Sequence, residues 1–478
     1  MKFSKKMYID GDLSGGQNNL KVFNPATEAE VAELPAAGLI DVEKALLSAK
    51  NAFPIWSRTS IEERQSWMNK LRDAVIFSEK HLRECVHYEM GKPWKSTKED
   101  FDSLKNSLEF YANEIGRFKS ENLPDRAGSH IHRLVHEPAG VVVAFLAWNF
   151  PLLNLAFKIG PAMAAGCPIV IRPSGATPIS AYAVGELCHK IGLPRGVVNI
   201  ICTVDSKSTD ALSSSKIPSL LTLIGSTATG KHIMKTGATS IKRYSMELGG
   251  NAPVIVFADS DLNLAADIVC AVKFSNAGQI CVTPNRIFVE ESVAIEFERK
   301  VVERAKLIRI GFDKDVDIDM GPLIDASAWN RVNDLVAGAL EAGARLLTGG
   351  GRPDKLVRGH YYSPTVLSNI NPTMQIYQNE IFGPVVSILA FKNEIEVLAN
   401  ANDGEDGGLT AFLFTRDINK AERFASELRY GEIQINGIKY DIDLPHGGIG
   451  QSGIGHDCSS LALHDYLVVK RISRALLS

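Results

Sequence analysis

The sequence predicts an α/β protein of more than one domain, on three observations. Short apolar runs of strand length alternate with segments of helical period from about residue 140 onward, the texture of parallel sheets wrapped by helices. That alternation occurs twice, on either side of a poorly alternating stretch, Phe274–Arg286 (FSNAGQICVTPNR), which reads as a tight connection. At 478 residues the chain also exceeds one ordinary core, since domains run to about 100–200 residues.

In chain order, residues 1–38 read as short strand-like pieces (MYIDG, LKVFNP) parted by Gly, Asn and Pro. From Asp41 the period changes, and Val42, Ala45, Leu46, Ala49 and Phe53 fall at helical spacing behind Asp41 as candidate cap. Helical patterns continue over Ile61–Ser78, Glu79–Met90 and Lys98–Phe118, the last two separated at Gly91–Pro93. His130–His136 and Gly140–Ala147 then read as strands, and Pro168–Arg172 as a buried parallel one. A helix over Ile179–Ile191, strands at Val197–Ile201 and Leu220–Ile224, a helix from Ser226 and a strand at Pro253–Phe257 complete a doubly wound sheet, whose carboxyl edge is where ligands bind.

Beyond Cys281 the pattern restarts: strand Arg286–Glu290, helices Val293–Ile308 and Ala326–Ala342, strands Arg345–Leu347 and Val386–Phe391, helix Glu394–Ala401, strand Leu409–Phe414, helix Ile418–Leu428, strand Ile433–Ile435. This is a second α/β domain. The tail, Ala462–Ser478, carries the strand-like YLVVKRIS with little of its own to bury it, so it pairs elsewhere in the fold or on another subunit.

A net charge of −3, from 52 Lys+Arg against 55 Asp+Glu, gives no nucleic-acid or membrane surface. No stretch reaches the roughly 18 apolar residues of a membrane span. The seven cysteines are scattered and form neither a CxxC nor a Cys/His cluster, which excludes a disulfide framework and a zinc site and predicts a reducing, cytoplasmic setting. There is no GxGxxG. Gly225-Ser-Thr-Ala-Thr-Gly230 follows a strand and opens a helix, offering free backbone N–H groups to a phosphate or dinucleotide.

On local sequence Cys281, between Ile280 and Val282, reads as a buried structural thiol, Asn149 as a turn residue before Phe150-Pro151, and Glu247 as a charged strand end. Seven motifs in order change that: Ala147-Trp-Asn-Phe-Pro151, Pro173-Ser174, Gly225–Gly230, Met246-Glu-Leu-Gly-Gly250, Gly278-Gln-Ile-Cys281, Glu380-Ile-Phe-Gly-Pro384, and Gly447-Gly448 with Ser452-Gly453. Together they resemble the aldehyde dehydrogenase superfamily over nearly the whole chain. The resemblance implies a Rossmann-like dinucleotide-binding domain (1–118 and 138–247), a catalytic domain (248–445) and a small β element (119–137 and 462–478) that joins subunits into a homodimer or homotetramer.

It further implies that Cys281 attacks an aldehyde, that the Asn149 amide and the Cys281 N–H hold the oxyanion, and that Glu247 is the general base that hydrolyses the thioester. Asp457 falls where many members carry a proton-relaying Glu, one methylene longer. Trp148, Pro173, Ser174, Gly225 and Ser226 match adenosine and pyrophosphate contacts, and Glu380 with Phe382 the nicotinamide-ribose clamp. Two positions depart from the pattern: Arg172 replaces the usual Lys, and Gly175 replaces a Glu that grips the adenine-ribose hydroxyls in NAD-preferring members. Removing that carboxylate and offering Arg172 to a 2′-phosphate favours NADP, or use of both cofactors, over strict NAD.

Asn154 and Phe157 match pocket-lining positions, with Lys158 beside them, and His446 stands where Phe is common. If His446 lines the tunnel with Asn154 and Lys439 or Tyr440, rather than facing solvent, the substrate is a short polar or acidic aldehyde, such as a semialdehyde or hydroxyaldehyde. Two rivals stand beside this reading. A CoA-acylating semialdehyde dehydrogenase generally lacks a base at the Glu247 position. An inactive structural or binding relative has no need of Cys281, Glu247 and Asn149 together.

Overall fold

The computed structural model describes residue 3, residues 6–403 and residues 408–476. Two large sheets organise the chain, each with its own apolar core. The first has eight strands, and five of them form a parallel centre in the order Arg243–Glu247, Pro218–Ile224, Val141–Phe145, Ile169–Arg172, Val198–Ile200. Its middle strand, VVVAF, is buried at every position, as expected where helices cover both faces. Met7–Ile9 with Asp12–Ser14 extend one edge, and Gly453–Ile454 returns from near the carboxyl end to pair antiparallel with Glu247 on the other.

The second sheet has seven strands, ordered Arg345–Thr348, Thr365–Ser368, Val385–Phe391, Arg286–Glu290, Pro253–Val256, Thr410–Phe414, Glu432–Ile435, all parallel except the first pair. A third sheet of three strands joins Glu121–Leu123, His130–Pro138 and Leu467–Ala475. The tail strand therefore finds its partner within the chain. Its first residues, Ala462–Tyr466, belong instead to a helix, Ser459–Tyr466, whose Ala462, Leu463 and Tyr466 are buried.

Helix termini differ from expectation in one instructive place. Asp41 is not the cap of the first helix, Leu39–Trp56; Gly38 is, and Asp41 lies in the first turn, its carboxylate accepting the Gly38 N–H at 3.1 Å and the Gln17 N–H at 3.0 Å. Helices absent from the sequence reading include Ser206–Ser214, polar and short, and Leu262–Phe274, an apolar run whose period is masked by its own hydrophobicity. The helix Pro151–Ala165 is anchored by the buried Asp100, which accepts the N–H groups of Leu152 and Leu153, both at 3.2 Å, and is itself paired with buried Lys92. That anchor fixes the turn just before it, where Asn149 sits.

Candidate active site

In the first sheet strand order reverses between Val141–Phe145 and Pro218–Ile224, so the loops leaving these neighbouring strands diverge and open a crevice. Trp148 and Asn149 lie on one loop, Gly225 and Ser226 on the other, and Glu247 ends the adjoining strand in register with Ile224. The second sheet contributes through the opposite ends of its strands: the loop before Arg286–Glu290 carries Cys281, and the loop before Val385–Phe391 carries Glu380 and Phe382. These loops line a single cleft of about 1220 Å³.

All seven cysteines are free; six are buried and Cys281 is partly exposed in the cleft. Burial pushes the thiols of Cys167 and Cys202 up to about 11 and those of Cys188 and Cys270 up to about 12, so these stay protonated and inert. The backbone leading to Cys281 is strained. Asn276, Ala277 and Gly278 take φ of 47°, 54° and 72°, the left-handed region that costs non-glycine residues energy. Gln279 holds the loop in this state, donating to Asn276 O (2.9 Å) and Pro322 O (3.3 Å) and accepting from Ile324 N–H (2.9 Å). At Gly278 a Cβ would stand 2.2 Å from Gly383 O, so the cysteine loop and the Glu380–Pro384 loop touch backbone to backbone.

Asn149 is buried and its amide is oriented. Its Oδ1 accepts from Asn154 Nδ2 at 3.2 Å, and its Nδ2 donates one hydrogen to Gln279 O at 3.0 Å. The second amide hydrogen remains for the cleft. Asn154, a pocket-lining position in the sequence reading, lines the cleft and also fixes this amide, its Nδ2 donating in addition to Ala147 O at 3.1 Å.

Glu247 is buried, and among the described residues neither carboxylate oxygen has a hydrogen-bond partner. Burial pushes its carboxyl well above the usual carboxylate range; the field of His446 and Lys158 opposes this, and that of Asp457 and Glu432 adds to it. Asp457 is gripped by Lys158 at 2.6 and 2.8 Å, an ion pair with both side chains buried. The lysine of this pair comes from the helix Pro151–Ala165 that follows Asn149.

His446 lines the cleft and is not a solvent-facing loop residue; its Nδ1 lies 2.7 Å from Glu432 Oε1. Glu432 was not singled out in the sequence, because an acid at the start of the strand EIQI looks like an ordinary exposed end. Only its pairing with His446 reveals it.

Matched against known sequences, residues 13–472 fit the aldehyde dehydrogenase family. The chain belongs to the aldehyde dehydrogenase family. It is 34% identical over 472 residues to a glutarate-semialdehyde dehydrogenase of Pseudomonas putida, covering 98% of this chain and 97% of that protein. It is 34% identical over 471 residues to an NADP(+) succinate-semialdehyde dehydrogenase of Escherichia coli, covering 98% and 97%. A solved betaine aldehyde dehydrogenase of Staphylococcus aureus in complex with NAD+ superposes with a TM-score of 0.95 at 34% identity, covering 98% of this chain and 95% of that one. The reaction of this aldehyde dehydrogenase is oxidation of an aldehyde to the acid with NAD or NADP.

The cleft of this aldehyde dehydrogenase has the chemistry to receive such a dinucleotide. Glu380 is half-buried, its Oε1 shielded from solvent and unpartnered among the described residues, and burial pushes its carboxyl up to about 7. Beside it the strand-end backbone is stripped of side chain, since a Cβ on Gly249 would stand 2.5 Å from Glu380 Oε2. Phe382 packs edge-on against Trp148, ring centroids 5.5 Å apart, bringing together a candidate of the nicotinamide-ribose clamp and a candidate adenosine and pyrophosphate contact. Ser226 caps the helix Thr227–Gly237 by accepting the Thr229 N–H, but the Gly225 N–H is spent on Glu247 O at 3.0 Å and is not free as the sequence suggested.

Arg172, Pro173, Ser174 and Gly175 do not line this cleft. They lie at and beyond the end of strand Ile169–Arg172, where Arg172 donates to the Thr203 hydroxyl and carbonyl, both at 3.2 Å. Among the described residues no group of His, Cys, Asp and Glu could hold a metal ion, and no helix is long and apolar enough to cross a membrane.

Proposed function

We propose that Cys281 is the nucleophile, that Asn149 Nδ2 and the Cys281 N–H hold the oxyanion, and that Glu247 is the base of thioester hydrolysis. The observation that carries this is a buried carboxyl with no hydrogen-bond partner among the described residues, in one cleft with the one partly exposed thiol and an amide with one unspent hydrogen. The thiol adds to the aldehyde carbonyl, and the oriented amide meets the charge that develops on oxygen. NAD(P)+, when bound, accepts the hydride from that carbon. Glu247 then takes a proton from water as it attacks the thioester, and the acid leaves as sulfur recovers its electron pair.

For the cofactor we infer contacts from Trp148, Ser226, Gly225, Glu380 and Phe382 within the cleft, and from Arg172, Pro173, Ser174 and Gly175 beyond it. NADP is favoured: among the described residues only Leu20 comes within 4 Å of where a Gly175 Cβ would stand, at 3.9 Å or more, and glycine itself supplies no carboxylate to oppose a 2′-phosphate near Arg172. The substrate is a short polar aldehyde, whose far end meets Asn154, Tyr440 and the exposed Lys439–Asp441 pair, itself cheap to rearrange. The semialdehyde and betaine aldehyde relatives support that class. Free product acid is expected, since Glu247 serves hydrolysis and not CoA transfer.

The three-stranded sheet is proposed to join subunits into a homodimer or homotetramer, because Ile131, Val469 and Ile472 remain 42%, 60% and 41% exposed on it. Seven free thiols suit a reducing cytoplasm. A kinetic matrix of aldehydes against both cofactors tests the whole reading. Short polar aldehydes with NADP should give the highest kcat/KM and release acid without CoA; highest kcat/KM with long-chain aldehydes, or dependence on CoA, would overturn it.

A further inference from the structure

We infer that Asn251 and Asn285 are positioning residues: as a bonded pair they tie the stretches following the base and the nucleophile to the segment that carries Glu380. They thereby set where the reacting end of the cofactor stands relative to Cys281. The inference rests on Glu380 holding the nicotinamide ribose. Between the helix Gln375–Gln378 and the strand Val385–Phe391 the chain has no regular structure, so its backbone groups need side-chain partners. Two buried amides supply them. Asn251 Nδ2 donates to Tyr377 O at 2.8 Å, Asn285 Nδ2 donates to Asn379 O at 3.0 Å, and Asn285 Oδ1 accepts the Ile381 N–H at 3.0 Å. These contacts fall two residues apart and bracket Glu380. The two side chains are only 5% and 1% exposed, and Asn285 Nδ2 gives its second hydrogen to Asn251 Oδ1 at 2.6 Å. An N–H needs an acceptor and a carbonyl a donor, so the Asn285 amide cannot turn over without setting Nδ2 against the Ile381 N–H.

Place in the chain gives the pair its meaning. Asn251 follows Gly249-Gly250 on the stretch that leaves Glu247, and Asn285 closes the stretch that leaves Cys281. Their backbones are joined as well: the Asn285 and Arg286 N–H groups both donate to Ala252 O, at 2.9 and 3.1 Å, and Arg286 Nε donates to Asn251 O at 3.1 Å. The Glu380 segment touches the same two stretches through Gly249 and Gly278, and Arg331 donates to Glu380 O and Ile381 O at 3.1 and 2.8 Å. Packing limits how near the segment comes. The amide bonds fix its backbone from Tyr377 to Ile381, and with it the direction in which the Glu380 side chain leaves. Hydride transfer needs its two carbons about 3–3.5 Å apart, and a misplacement of about 1 Å costs about 100-fold.

The test uses the full-length enzyme and three measurements: binding of NADP and NAD by calorimetry, the single-turnover rate of cofactor reduction, and hydrolysis of 4-nitrophenyl acetate without cofactor. That ester acylates a thiol with loss of nitrophenolate, and water then frees the acyl group, so it calls on Cys281 and Glu247 but on no hydride step. Asn285→Ala should raise the Kd of the tighter-bound cofactor about tenfold, the scale of one buried hydrogen bond lost. It should slow cofactor reduction about 100-fold, while ester hydrolysis changes far less. In a Glu380→Ala background the same substitution should change the Kd little, since the pair acts through Glu380. Should Asn285→Ala fail to fold by circular dichroism, Asn285→Asp, which keeps an acceptor for the Ile381 N–H and loses both donations, gives the same reading. A wild-type Kd or rate of cofactor reduction in the Asn285 variant, an equal loss of ester hydrolysis, or the full effect persisting in the Glu380→Ala background would overturn the inference. If Glu380→Ala itself leaves the Kd unchanged, the clamp assignment fails and the inference with it; if it raises the Kd while Asn285→Ala does not, only the role of the pair fails.

Discussion

Three residues carry the proposed chemistry, and each is defined by what its environment withholds. Glu247 is given no hydrogen-bond donor, so burial keeps its carboxyl well above the usual carboxylate range. A base works only when deprotonated, so thioester hydrolysis should be lost as pH falls through that raised value, above the ordinary carboxylate titration. The pH profile of single-turnover deacylation checks this: Glu247→Gln should remove the acid limb, and a limb unchanged in that variant would assign it to another group. Cys281 is spared the burial that silences the other six thiols. Asn149 is given an acceptor on one side and a donor on the other, which leaves one amide hydrogen to work with. None of these environments is local in sequence: Asn154, Gln279 and Asn149 come together from two domains, so a reading of neighbours alone makes each residue look structural.

At the scale of elements, long helices were legible because period and burial agree in them, as in Ile61–Phe77, and buried strands because they form short apolar runs, as in Arg286–Glu290. The site loops were legible only as motifs, since their shape depends on contacts with each other. Left-handed backbone at Asn276 and Ala277, two non-glycine residues, has no local signal, and the loop holds it through Gln279 and through Gly278 pressed on Gly383. Gly278→Ala should therefore displace the cysteine loop. The left-handed conformation alone costs an alanine about 1–2 kcal/mol, and its Cβ would overlap Gly383 O. A lowered melting temperature with a loss of kcat well beyond it is the expected result; wild-type values for both would show that the loop adapts freely. The carboxyl-edge rule located the first sheet's contribution, but the second sheet presents the amino ends of its strands, which no strand pattern reveals.

For the whole molecule, two sheets with separate cores supply one cleft, so neither domain alone carries a complete site. The tail strand is the outlying piece: Leu467–Ala475 is exposed along most of its length and pairs only with His130–Pro138, whose other edge carries Glu121–Leu123. Deleting residues 467–478 should dissociate the proposed oligomer, read as a smaller mass by light scattering, and an unchanged mass would place the interface elsewhere. The central claim, covalent catalysis through Cys281 completed by Glu247, is tested most directly by intact-protein mass spectrometry of Glu247→Gln mixed with aldehyde and NADP. The account predicts that the chain gains one acyl group, mapped to Cys281 and abolished when Cys281→Ala is added; no adduct, or an adduct that survives the loss of Cys281, would contradict it.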